Sequence, residues 1–153
     1  MKQVTRGHII GVRFKPGAFH AFWHWSMAGL RDTTIALERI FPEANKKFIE
    51  ETLALSDNEA VQALATLLLT KNPQPDPNIA IVNEIIATIE TENLQTVKDV
   101  AKSINKSERW LQQLFQEYVD IGIKWLLQRN KLLEAAKTIR ETEDPDWTAM
   151  AYN

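Results

Sequence analysis

At 153 residues, with 44% hydrophobic and 25% charged side chains, the chain is long enough for one ordinary domain or two small ones around a real core. A formal net charge of −2 lacks the strongly basic balance of a typical whole-chain nucleic-acid binder. The absence of cysteine excludes disulfides and thiolate metal sites and fits a reducing cytosol. The start, MKQVTRGHIIGVRF, has no signal-like apolar run, and no segment approaches the roughly 20 apolar residues that span a bilayer. The expectation is a soluble, cytoplasmic protein with no membrane partner.

Taken in chain order, His8 to Phe14 is β-prone and closes on a Lys-Pro-Gly turn, predicting one short strand. A lone strand in a helical chain leaves both its edges unpaired, so it must pair with another chain or with a sheet lying outside this sequence. Helices are expected at Asp32 to Ile40 and at Glu43 to Leu53, the latter just after Pro42. A third opens at Ser56-x-x-Glu59, a capping-box pattern, with Val61, Leu64, Ala65 and Leu68 along one face. The Trp- and Phe-rich segment around His20 and His24 reads as aromatic packing. Two histidines four apart can share a metal, but no third ligand stands near except distant His8, and no metal or other cofactor is expected.

LTKNPQPDPN, Leu69 to Asn78, holds three prolines within five residues and cannot be helical throughout. It divides the chain into residues 1–69, a linker at 70–77, and residues 78–153. Asp76 is the expected N-cap and Pro77 the first helical position of a helix reaching about Glu92, with Ile79, Val82, Ile86 and Ile89 as its stripe. A shorter helix follows from Thr96 to Ser103, with Val97, Val100 and Ala101 turned inward, then a tight connection at Ile104 and Asn105.

The next helix, KSERWLQQLFQEY, spaces Leu111, Leu114, Phe115 and Tyr118 for burial and leaves Arg109, Gln112, Gln113 and Gln116 on its polar side. Two short helices joined by a tight turn, the second amphipathic and cationic, make a helix-turn-helix. Arginine pairs bidentately with guanine and glutamine with adenine, so the polar side suits a major groove. A last helix, about Ile123 to Glu141, offers Leu126, Leu133, Ala136 and Ile139 as core positions. Between Leu94 and Arg140 nine cations face five acids, whereas between Arg31 and Ala60 four cations face seven acids. A basic C-terminal part joined to an acidic middle suits a DNA module attached to something else. The fold class expected is mainly α: a helical N-terminal part with one short orphan strand, then a helix-turn-helix unit of three to four helices.

The run VKDVAKSINKSERWLQQLFQEYVDIGIKWLLQRNKLLEAAKTI resembles the first helix-turn-helix and linker helix of AraC-family transcription regulators. The matching positions are Val97, Val100, Ala101, Ser107, Arg109, Leu111, Gln112, Phe115, Lys124 and Trp125, continuing to Leu132, Glu134 and Ala135. GVRFKPGAF and the helices after it look like the end of that family's sensor domain, and DWTAMAYN like the first helix of its second helix-turn-helix, stopped before the recognition helix. Asn105 and Asp120 stand where Gly is common in the family, Ile123 where Pro is common, and Gln113 where a contacting Arg is frequent. The resemblance implies that Arg109, Gln112 and Gln113 face bases, with Ser107 and Lys124 as phosphate contacts and Lys106 at the same helix start. It also implies double-stranded DNA as partner, an effector of unknown identity, and weak, salt-sensitive binding by one reading head alone. The N-terminal strand or helices offer a homodimer contact. No nucleophilic triad, lysine nucleophile or phosphate-cradling Gly-rich loop is present, so an enzyme is not expected. The competing reading is a helical interaction or dimerisation module that never engages DNA.

Overall fold

The computed structural model describes residues 9–23 and 25–141, and what it describes is mainly α-helical. α1 (His20–Trp23) is a single turn; α2 (Lys46–Leu53) and α3 (Asp57–Leu69) follow, and after the Pro-rich stretch come α4 (Pro77–Thr91), α5 (Val97–Ser103), α6 (Glu108–Tyr118) and α7 (Ile123–Glu141). Two clusters of buried side chains organise them. The larger joins Val82, Ile85 and Ile89 of α4, Val100 and Ala101 of α5, Leu111, Leu114, Phe115 and Tyr118 of α6, and Ile123 and Leu127 of α7. The smaller gathers Phe41, Ala44 and Leu67, with Phe22, Ile40, Phe48 and Leu68 partly covered around them.

The helix starts obey local chemistry. Asp76 Oδ1 accepts the Asn78 N–H at 2.9 Å with Pro77 at the first helical position, where a missing N–H costs nothing. Thr96 Oγ1 accepts from Asp99 N at 3.1 Å and Ser107 Oγ from Trp110 N at 3.1 Å. At α3, Glu59 Oε2 accepts from both the Ser56 N–H at 3.0 Å and the Ser56 hydroxyl at 2.6 Å, as the capping-box pattern predicts. These two bonds hold the Glu59 carboxyl below its ordinary pKa. A depressed carboxylate pKa contributes stability above the unfolded value and loses it as pH falls through the folded one. The first turn of α3 is therefore expected to loosen on acidification just below the ordinary glutamate range. Amide exchange at residues 57–60 should report this, and Ser56→Ala should weaken the pH dependence without abolishing it, because the residue-56 backbone N–H still donates to Glu59.

Several expectations are corrected. Residues 9–15 form no strand, and among the described residues there is no strand to pair with; Ile9 is 91% exposed. β-propensity expresses packing against a neighbouring strand, and here none is supplied. The Lys-Pro-Gly turn does form: Ala18 N donates to Lys15 O at 3.0 Å, and Gly17 has φ +75°, the second central position of a type II turn. Asp32 to Ile40 is not a helix. Asp32 is left-handed at φ +54°, the β-branched Thr33, Thr34 and Ile35 follow, and only Leu37–Arg39 close into a 3-10 turn. α2 starts later than Glu43, at Lys46, because Asn45 caps it by accepting from Phe48 N at 3.2 Å.

Two burial faces also differ. In α3 Ala60 and Leu67 are buried and Leu64 and Leu68 half-buried, whereas Val61 and Ala65 are exposed. Leucines and alanines run around most of that helix, so periodicity does not single out a face. In α7 the buried positions are Ile123, Leu127 and Asn130, with Leu126 half-buried; Leu133, Ala136 and Ile139 are exposed. Only the first two turns of α7 meet the core, and there Asn130 Nδ2 donates to Ile89 O at 3.4 Å.

Candidate nucleic-acid interface

α5 and α6 form a bent helix pair. The turn between them closes as a Schellman-type cap: Lys106 N donates to Ala101 O at 2.9 Å and Asn105 N to Lys102 O at 3.1 Å. Asn105 takes the left-handed position at φ +52°, which asparagine tolerates better than most residues. Asn105→Ala is expected to cost about 1–2 kcal/mol, and Asn105→Gly to be neutral or stabilising. Equilibrium denaturation of the two variants checks this.

The buried stripe of α6 is the one the spacing predicts: Leu111, Leu114, Phe115 and Tyr118 all lie in the core. That fixes the rotation of the helix. Arg109, Gln112 and Gln113 are exposed together on the other side, as are Glu108, Gln116 and Glu117. The N-terminal end carries Ser107 and Lys106, both exposed. Ser107 uses an oxygen lone pair to cap the helix, which leaves its O–H as the donor. The Lys106 ammonium stands 5.3 Å from the centroid of the Trp110 ring, a cation–π contact that keeps the charge beside the helix start.

Lys124 belongs to a different surface element. It lies in the first turn of α7 and, with Lys131, Gln128 and Leu127, borders a cleft of about 430 Å³ against Gln95, Thr96 and Val97 at the start of α5. The Gln95 amide group donates to Asn93 O at 2.9 Å and Asn93 Oδ1 at 2.8 Å, while its buried Oε1 has no hydrogen-bond partner. The six positions that the sequence reading expects to contact DNA thus fall into two groups, five on or just before α6 and one on α7.

The sequence reading missed a polar cluster on the rear of α6. The Tyr118 hydroxyl donates to Asp76 Oδ2 at 2.7 Å and accepts from Asn78 Nδ2 at 2.9 Å. Burial, then the bond to Asp76, raises the Tyr118 pKa above the usual tyrosine value. His20 packs on the Tyr118 ring at 4.2 Å between centroids, with Nδ1 3.8 Å from Asp76 and Nε2 3.6 Å from Glu117. His20 therefore serves the docking of the N-terminal segment; its suggested companion His24 lies outside the described residues. Among the described residues no His, Cys, Asp and Glu group is arranged to hold a metal, and no helix is long and apolar enough to cross a membrane. The DWTAMAYN segment also lies outside the described residues.

Gln116 is the other surprise. Its Nε2 donates to Asp120 Oδ1 at 2.6 Å, so it is held toward the end of the helix, unlike the glutamines at 112 and 113. One signal for this was present in the sequence: Gln116 and Asp120 stand four apart, a spacing at which an amide and a carboxylate pair.

Comparison with family models, curated proteins and solved structures returns no match to this chain.

Proposed function

We propose that the chain is a DNA-binding transcription regulator of AraC-like type, acting in the cytoplasm, with α6 reading bases from the major groove. The observation that carries this reading is the rotation of α6. Four apolar side chains are buried on one side, and Arg109, Gln112 and Gln113 stand free on the other, near the N-terminal end that enters a groove in helix-turn-helix proteins. Arg109 supplies the bidentate donor for guanine, and Gln112 and Gln113 the paired donor and acceptor for adenine. Lys106, the Ser107 hydroxyl and Lys124 supply phosphate contacts, which position the helix without reading sequence.

A salt titration tests it directly. Binding to random duplex DNA should weaken as salt rises, with log K falling against log salt at a slope of about −2 to −4, since a few phosphates are neutralised. Affinity indifferent to salt would exclude phosphate contact and with it the groove reading.

One observation favours a second reading. The outer half of α7 leaves Leu132 71% exposed, with Leu133 and Ile139 about half so, and Trp125 exposed at its start. A face of this kind suits a helical interaction or dimerisation module. Solution mass rising with concentration, in a protein that does not bind duplex DNA, would support that reading.

A further inference from the structure

The C-terminal end of α6 is capped by a segment distant in sequence. Helix ends leave carbonyls without partners, and those of α6 are met partly by the chain around residue 29. Met27 N donates to Glu117 O at 2.8 Å. Gly29 N and Arg31 N both donate to Asp120 Oδ2, each at 2.8 Å. Three alternate amides of one short segment thus point at the last turn of α6. The segment is folded for this: Leu30 N donates to Met27 O at 3.0 Å, Thr33 N to Leu30 O at 3.1 Å, and Gly29 is left-handed at φ +85°.

Asp120 has two carboxylate oxygens, and the other one holds Gln116 at 2.6 Å. One side chain therefore joins the N-terminal segment to a glutamine on the polar side of the candidate recognition helix. A carboxylate near a helix C-terminus is unfavourable beside the exposed carbonyls unless donors surround it, and here three N–H groups do so. His20 beside Glu117 and Asp76, and Asn83 Nδ2 donating to Pro16 O at 2.9 Å, fasten residues 16 and 20, upstream of that segment, to α4 and α6.

We infer that Asp120 is a latch: with residues 27–31 seated, it keeps Gln116 turned from the duplex, and withdrawal of that segment frees Gln116 to contact DNA. This makes Gln116 a conditional contact and the N-terminal segment a regulator of binding strength. The inference rests on α6 being the groove helix.

The test uses Asp120→Gly and Asp120→Asn in the full chain. Asp120 lies at φ +55°, a backbone that both Gly and Asn accept, so neither change strains the fold. Asp120→Gly should speed amide exchange at Gly29 and Arg31 by about tenfold, measured without DNA, and Asp120→Asn should do so less because it keeps an acceptor oxygen. Asp120→Gly should also tighten binding to duplex DNA by about two- to tenfold, the weight of one hydrogen bond. That gain must be at least about twofold smaller in a Gln116→Ala background, which separates release of Gln116 from simple loss of a negative charge. Unchanged exchange at Gly29 and Arg31 overturns the latch, and an equal gain in both backgrounds overturns the role of Gln116. If exchange responds but no variant binds duplex, the groove reading has failed, and the effect on DNA fails with it.

Discussion

Phe115→Ala is expected to lower the unfolding free energy by about 3–5 kcal/mol, the usual cost of deleting a buried aromatic ring. Phe115 is only 1% exposed and belongs to the cluster that all four helices from α4 to α7 share. It shares that cluster with Leu111 and Leu114, whose burial sets the rotation of α6. Against a total stability of roughly 5–15 kcal/mol, such a loss leaves a marginal protein. Urea denaturation followed by helix content measures it. A loss below about 1 kcal/mol would mean that α6 is not seated as described, and the exposed row on its far side would lose its foundation.

Arg109→Ala and Lys124→Ala should both weaken DNA binding, but in different ways. Arg109 is exposed in the first turn of α6, so its loss should cost about 1–3 kcal/mol on a preferred sequence and relax discrimination at one base pair. Lys124, from the separate position on α7, should act on every sequence alike and reduce the salt slope by about one. The double variant should then lose roughly ten- to a thousandfold on a preferred site, provided the two effects add. Fluorescence anisotropy on a selected duplex and a scrambled one, at two salt concentrations, reads both effects. Equal losses for the two single variants on both duplexes would deny base reading by Arg109 and leave only electrostatic attachment.

What could be read in the sequence depended on how far local chemistry decides the outcome. α6 was legible because four apolar residues at helical spacing alternate with polar ones, so that a single rotation buries them all. The starts of α3, α4 and α5 were legible because Ser56, Asp76 and Thr96 cap them through neighbouring residues, whereas the Ser107 cap of α6 emerged only from the structure. The face of α3 was not, since its apolar residues surround the helix and only Phe41 and Ala44, arriving from elsewhere, select Leu67. The strand failed for a related reason: a β-prone run makes a strand only where a neighbour pairs with it. At the candidate site, the row Arg109, Gln112 and Gln113 followed from periodicity alone. The rest of the Asp120 cluster did not, because the two donors besides Gln116 lie some 90 positions away in the chain and are backbone N–H groups, which carry no residue signature.

Asp76 belongs to two structures at once. One carboxylate oxygen starts α4 through Asn78 N, and the other receives the Tyr118 hydroxyl from the last turn of α6. Neither helix can lose order at that corner without stripping the other of a partner. Melting observed from α4 and melting observed from α6 should therefore superimpose, as one cooperative transition.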